Sequence, residues 1–226
     1  MIKSFTIFSE RCTGSNFLEY SMLNNFHIKH LKYCHKHFFG HDNNNNLYSQ
    51  TDIDNNLFIC LIRDPIEWID SFNKNKHNVP LINKKNLDTF INNEWYSIYE
   101  CNTNDKKKGE EIIEDRNIYT KEKYKNIFEL RKTKNNYYLH TCPTKFKHVL
   151  ILKYEDLRDN YEITLDNIKN KFNLQQKNDK YTKIVKYKGT YDSLYVKKSI
   201  LLTYEIQEYI KSNLDLQQEQ QLGYLL

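Results

Sequence analysis

The sequence predicts an α/β fold, a three-layer sandwich in which helices flank a central parallel sheet. Three observations carry this. Residues 57–62, Leu-Phe-Ile-Cys-Leu-Ile, are a continuous apolar run, the mark of a strand buried on both faces as in parallel sheets. Residues 147–154, Lys-His-Val-Leu-Ile-Leu-Lys-Tyr, read as another buried strand around the apolar stretch Val149 to Leu152. Around both, apolar residues recur at helical spacing, so strands and helices alternate along the chain.

Near the start, residues 5–8 (Phe-Thr-Ile-Phe) have strand character and run into a short polar turn. It holds Gly14, the only glycine in the first 39 residues. Leu18, Met22 and Phe26, four apart, mark one face of the helix that follows. Strand, tight turn and helix in this order aim backbone N–H groups and a helix N-terminus at one point. Such a point attracts an anion, most often a phosphate. Residues 26–34 alternate as a second strand. A stretch with Cys34, His35, His37, His41 and Asp42 then leads into an Asn-rich loop at 43–46. After the 57–62 strand, Asp64 suits an N-cap and Pro65 the first helical position. A helix over 65–73 therefore turns Trp68, Ile69 and Phe72 inward. Residues 74–122 read as an insertion, with a helix over 87–99 and a polar, mobile loop over 101–122. Helices over 124–138, along the stripe Tyr161, Leu165, Ile168 and Phe172, and over 201–212 complete the chain.

At 226 residues the chain suits one domain with its own core. Lysine and asparagine are heavily used, and only Arg11, Arg63, Arg116, Arg131 and Arg158 are arginines among 34 basic residues. The arginines retained in such a sequence are informative, because lysine cannot replace a bidentate guanidinium. A formal charge of +5 suits an anionic ligand and is mild for a nucleic-acid binder, which is not expected. The five cysteines form no C-x-x-C pair, and neither a secretory signal nor a membrane span is present, so a reducing, cytoplasmic setting is expected.

The opening turn is not a Walker loop, because Ser15-Asn16 follows Gly14 where G-K-[ST] is required. Nor is it a tyrosine-phosphatase loop, since the sixth residue after Cys12 is Leu18 rather than arginine. Arg11 instead supplies a cation at the loop mouth, and Thr13 and Ser15 supply hydroxyls. Arg63, at a strand end, and Ser71, eight residues on (71 − 63 = 8), place a guanidinium and a hydroxyl two helical turns apart, suited to a second phosphate.

Together, Glu10-Arg-Cys-Thr-Gly-Ser-Asn-Phe-Leu18, Arg63-Asp-Pro with Trp68 and Ser71, and Tyr154-Glu-Asp-Leu157 resemble the P-loop sulfotransferases. The closing stretch 213–224 is similar to the end of bacterial and viral members. The resemblance implies a P-loop sandwich that moves a sulfuryl group from 3′-phosphoadenosine 5′-phosphosulfate (PAPS) to a hydroxyl or amine. The acceptor is a small molecule, carbohydrate or peptide, and no metal is required. It implies that Arg11, Cys12, Thr13, Gly14, Ser15 and Asn16 cradle the 5′ side, with Arg11 in the cationic role. Arg63 and Ser71 then hold the 3′-phosphate, and Lys188-Gly189 echoes a late basic loop. This sequence departs from the pattern twice: the first loop is one residue longer between cation and glycine, and Tyr187 stands where arginine is usual. Lys36-His37 is similar to a pair in related bacterial sequences, which makes His37 the general base, an imidazole that ordinarily titrates near working pH. Arg131 with Lys134 reads either as part of the site or as a buried ion pair. Three other readings remain: a zinc site of Cys34, His35, His37, His41 and Asp42, a catalytically inactive nucleotide-binding module of the same fold, and a kinase-like phosphotransferase.

Overall fold

The computed structural model describes residues 2–40, 47–100, 107–186, 194–197 and 199–226. Four parallel strands form one sheet: β1 (Ser4–Ser9), β2 (Lys29–His30), β3 (Asn56–Ile62) and β4 (Val149–Lys153), in the order β2-β1-β3-β4. The helices that surround it are α1 (Ser15–Asn25), α2 (Gln50–Asp54), α3 (Pro65–Lys74), α4 (Leu81–Lys84), α5 (Leu87–Asn92), α6 (Ile127–Asn136), α7 (Cys142–Lys145), α8 (Tyr154–Asp159), α9 (Tyr161–Phe172), α10 (Tyr204–Asn213) and α11 (Leu216–Gln221).

The two-residue period of a strand sorts the core into layers. Phe5, Ile7, Leu57, Ile59, Leu61 and Leu152 face α1, α8 and α9, where Leu18, Met22, Leu157, Leu165 and Ile168 are buried against them. Phe8, Phe58, Cys60 and Ile62 face the other way, onto Phe39, Tyr137, Tyr138, Cys142 and Phe146. A third cluster, built on Trp68, Ile69, Phe72, Phe90, Trp95 and Ile127, packs α3, α5 and α6 together. Sheet with helices on both faces is the expected α/β sandwich.

The strand order places the site. From β1 the chain passes to β2 on one side and then crosses to β3 on the other, so the connections diverge between β1 and β3. In open parallel sheets, ligands bind beyond the carboxyl ends of strands at such a divergence. Here that point is flanked by the Glu10–Gly14 turn and by Arg63.

Several elements differ from the sequence expectation, each for a visible reason. The 26–34 strand pairs only at Lys29–His30, because the chain then leaves β1 and rejoins it at one bond, Ser9 N–H to the Lys36 carbonyl at 2.9 Å. The 87–99 helix ends at Asn92, because Trp95 exchanges two backbone hydrogen bonds with Tyr124, at 2.7 and 3.0 Å. The 124–138 helix starts at Ile127 under an Asn126 cap and continues as a π-turn, Tyr137–Thr141. The described part of the 101–122 loop, 107–122, is not a loose surface loop: Ile112, Asp115, Asn117 and Ile118 are all buried. No helix among the described residues is long and apolar enough to cross a membrane.

Candidate functional site

Cys12 and Gly14 both take positive φ, 63° and 93°, and together fold the turn between β1 and α1. A side chain at residue 14 is excluded twice over. Its φ is left-handed, and a Cβ there would lie 2.4 Å from the Tyr154 ring. Gly14 is also the N-cap of α1, so no side chain caps that helix, and its first turn holds no acidic residue. The first-turn N–H groups therefore have no capping side chain, and the positive end of the helix dipole is not offset by an acidic residue in that turn. Thr13 closes the turn beneath, its hydroxyl donating to the Glu10 carbonyl at 2.7 Å.

Arg11 does not sit at the loop mouth. Its guanidinium is 3% exposed and is directed into the protein. Nε donates to Glu10 at 2.7 Å, Nη1 to the Ser97 hydroxyl at 2.7 Å, and Nη2 to Asp115 at 2.9 Å. The rings of Phe72 and Trp95 stand 4.9 and 5.8 Å from its Cζ. Lys134 completes the cluster, donating to Glu10, to Asp115 at 2.7 Å and to the His37 carbonyl at 2.9 Å. The sequence alternatives for Arg131 and Lys134 thus resolve into buried ion pairs, Lys134 here and Arg131 with Glu219 at 2.6 Å. Burial opposes ionisation of Glu10, but the charges of Arg11 and Lys134 overcome it and hold the carboxyl down at about 2.

The cation at the loop mouth is Lys36. Its Nζ donates to Asn16 Oδ1 at 2.5 Å, on the first turn of α1, and its side chain is 23% exposed. His37 follows it beside the end of β1, with Nδ1 placed 3.0 Å from the Ser9 carbonyl, which leaves Nε2 as the acceptor of a neutral ring. Burial pushes this imidazole down to about 3, against the pull of Glu10 and the Ser9 hydrogen bond. The expectation that it titrates near working pH is therefore corrected: the ring is neutral there, and weakly basic.

Arg63 ties the two strand ends together. Nη1 donates to the Cys12 carbonyl at 2.9 Å, Nη2 to Glu67 at 3.1 Å, and the plane stands 4.8 Å from the Tyr154 ring. Its Nε is buried with no hydrogen-bond partner among the described residues. Ser71 lies one turn beyond Glu67 on the same face of α3, the helix that begins two residues after Arg63. The half-open cavity lined by Glu10, Thr13, Arg63, Trp68, Arg131 and Lys134 measures about 20 Å³, room for one water and no larger ligand.

Lys188, His41 and Asp42 lie outside the described residues. Among the described residues, no three His, Cys, Asp or Glu side chains are grouped to hold a metal. Asp115 is the residue that the sequence did not reveal; its only signal is the apolar pair Ile112 and Ile118 flanking it in a polar stretch.

Removing one charge from the buried cluster leaves the other three unbalanced. Asp115→Asn is expected to cost about 3–5 kcal/mol in urea denaturation, several times the effect of a surface ion pair. The His37 shift gives a pH test. Its proton affinity is lower in the fold than the ordinary 6.5, so the unfolded chain takes up the proton first. Stability is complete above about pH 6.5 and falls as pH drops toward about 3, whereas Glu10 adds a loss only below about 4.5. His37→Gln is therefore expected to lose less stability than wild type between about pH 7 and about pH 5. Equal losses would show that the ring is not held neutral. Comparisons of the chain with family models, curated proteins and solved structures found no match.

Proposed function

We propose that the protein is a sulfotransferase that binds PAPS across the carboxyl ends of β1 and β3 and passes its sulfuryl group to a hydroxyl or amine. The observation that carries this reading is the Arg63–Cys12 hydrogen bond, 2.9 Å, which joins two anion-seeking features into one two-ended grip. The uncapped start of α1 with Lys36 forms one end, and Arg63 with the α3 face that carries Ser71 forms the other. The spare donor at Arg63 Nε and the side-chain-free Gly14 both fit a ligand with two separated phosphates.

Bound PAPS supplies an activated sulfuryl group on a good leaving group; the protein's own part is positioning and charge. The α1 N–H groups and Lys36 hold the 5′ side and stabilise the charge that develops there. Arg63 and Ser71 hold the 3′-phosphate and fix the register of the nucleotide. His37 Nε2, neutral at working pH, takes the acceptor's proton; an anionic ligand beside it raises its basicity from the value that burial imposes. Arg11, spent on the buried cluster, positions the loop and does not touch the ligand. That inward turn is also the one observation favouring a binding module without activity, since the loop then relies on Lys36 alone for its side-chain cation.

The test is calorimetric titration with 3′-phosphoadenosine 5′-phosphate, AMP and ATP. The bisphosphate is expected to bind most tightly, and Arg63→Ala to weaken it by about tenfold or more, the loss of one charge-assisted hydrogen bond or two. Equal affinity for AMP, or no effect of Arg63→Ala, would overturn the two-phosphate reading.

A further inference from the structure

Glu67 stands one helical turn beyond Arg63 and is gripped from two sides. Its Oε2 accepts from Arg63 Nη2 at 3.1 Å and from Arg158 Nη1 at 2.7 Å, and Lys197 Nζ lies 3.9 Å from Oε1. Arg158 comes from α8, ninety-one residues away from Glu67, and its side chain is only 10% exposed. Both guanidiniums also stand against one ring, Arg63 Cζ 4.8 Å and Arg158 Cζ 5.4 Å from the centroid of Tyr154. That is the ring that presses on Gly14.

Two guanidiniums held this close repel each other unless an anion lies between them. Glu67 is that anion, shared between the two arginines, whereas the second carboxylate nearby, Asp159, pairs with Arg158 alone. Arg158 spends Nε and Nη2 on Asp159, a neighbour that is half exposed, so its Nη1 is the donor turned toward Arg63. A phosphomonoester carries about −1.5 to −2 at neutral pH and three acceptor oxygens. It satisfies the same cations better than one carboxylate does, and has an oxygen to spare for Arg63 Nε.

We propose that Arg158 is the second guanidinium of the 3′-phosphate subsite, and that Glu67 is its internal counter-ion, occupying the cations until the phosphate takes them. This rests on the reading of the site as one for a 3′,5′-bisphosphate. Glu67 holds the two guanidiniums apart from each other's charge, and by its own charge opposes the phosphate. It therefore sets the discrimination between nucleotides with and without a 3′-phosphate.

The experiment is a titration of wild type, Arg158→Ala, Arg158→Lys and Glu67→Gln with 3′-phosphoadenosine 5′-phosphate and, separately, with AMP. Circular dichroism and thermal melting confirm that each variant is folded, and Arg158→Lys keeps the test open should the alanine variant not fold. Both Arg158 variants are expected to bind the bisphosphate at least about tenfold more weakly and AMP as wild type does. Glu67→Gln is expected to bind the bisphosphate more tightly, again with AMP unchanged. Unchanged bisphosphate affinity in the Arg158 variants removes Arg158 from the subsite, and equal or weaker binding by Glu67→Gln removes the counter-ion role. If wild type itself does not distinguish bisphosphate from AMP, the bisphosphate reading falls and takes this inference with it.

Discussion

Four buried charges set the shape of the chain beyond the carboxyl end of β1. Glu10, Arg11, Asp115 and Lys134 have side chains no more than 9% exposed, and taking each from water costs several kcal/mol. The arrangement is tolerable because nothing in it is left over. Each of the four carboxylate oxygens accepts at least one hydrogen bond, and Lys134 donates to three acceptors. The cluster locks the turn after β1 to α6 and to the segment that carries Asp115. The turn is then braced from the side, where Trp68 Nε1 donates to the Arg11 carbonyl at 2.9 Å.

The consequence is a division of labour between buried and open cations. Arg11 faces inward and shapes the loop, so the side on which a ligand is proposed to bind has the α1 N–H groups, Lys36 and Arg63. A second buried ion pair stands behind the strand end of β3. Arg131 is bound through two nitrogens to Glu219 of α11, at 2.6 and 2.7 Å, and donates to the Arg63 carbonyl at 3.0 Å. Nearby, Glu155 accepts from the Asp64 N–H and from the Tyr224 hydroxyl, both at 3.0 Å. The C-terminal segment thereby stiffens the backbone from which Arg63 projects. Both ends of the proposed grip rest on charge pairs that never meet the ligand.

Much of this was legible in the sequence because the signals are local. The apolar runs gave β3 and β4, and Asp64-Pro65 marked the start of α3, where the Asp64 side chain accepts from Glu67 N–H at 2.9 Å. Gly14 marked the turn. What was not legible depends on partners far away in the chain. Asp115 has meaning only beside Arg11, 104 residues before it, and Lys134, 19 after it. Arg11 was expected at the loop mouth and instead turns inward, since no local pattern tells which of two cations is buried. The two-residue β2 and the early end of α5 follow from backbone pairings that periodicity does not report.

The central claim is that one ligand engages both strand ends at once. Amide hydrogen exchange measured with and without saturating 3′-phosphoadenosine 5′-phosphate tests it most directly, because it reads backbone groups at each end separately. The expected result is added protection at 12–17, the turn and the first residues of α1, together with added protection at 63–71. Protection at 12–17 alone, or at neither segment, would contradict the two-ended grip.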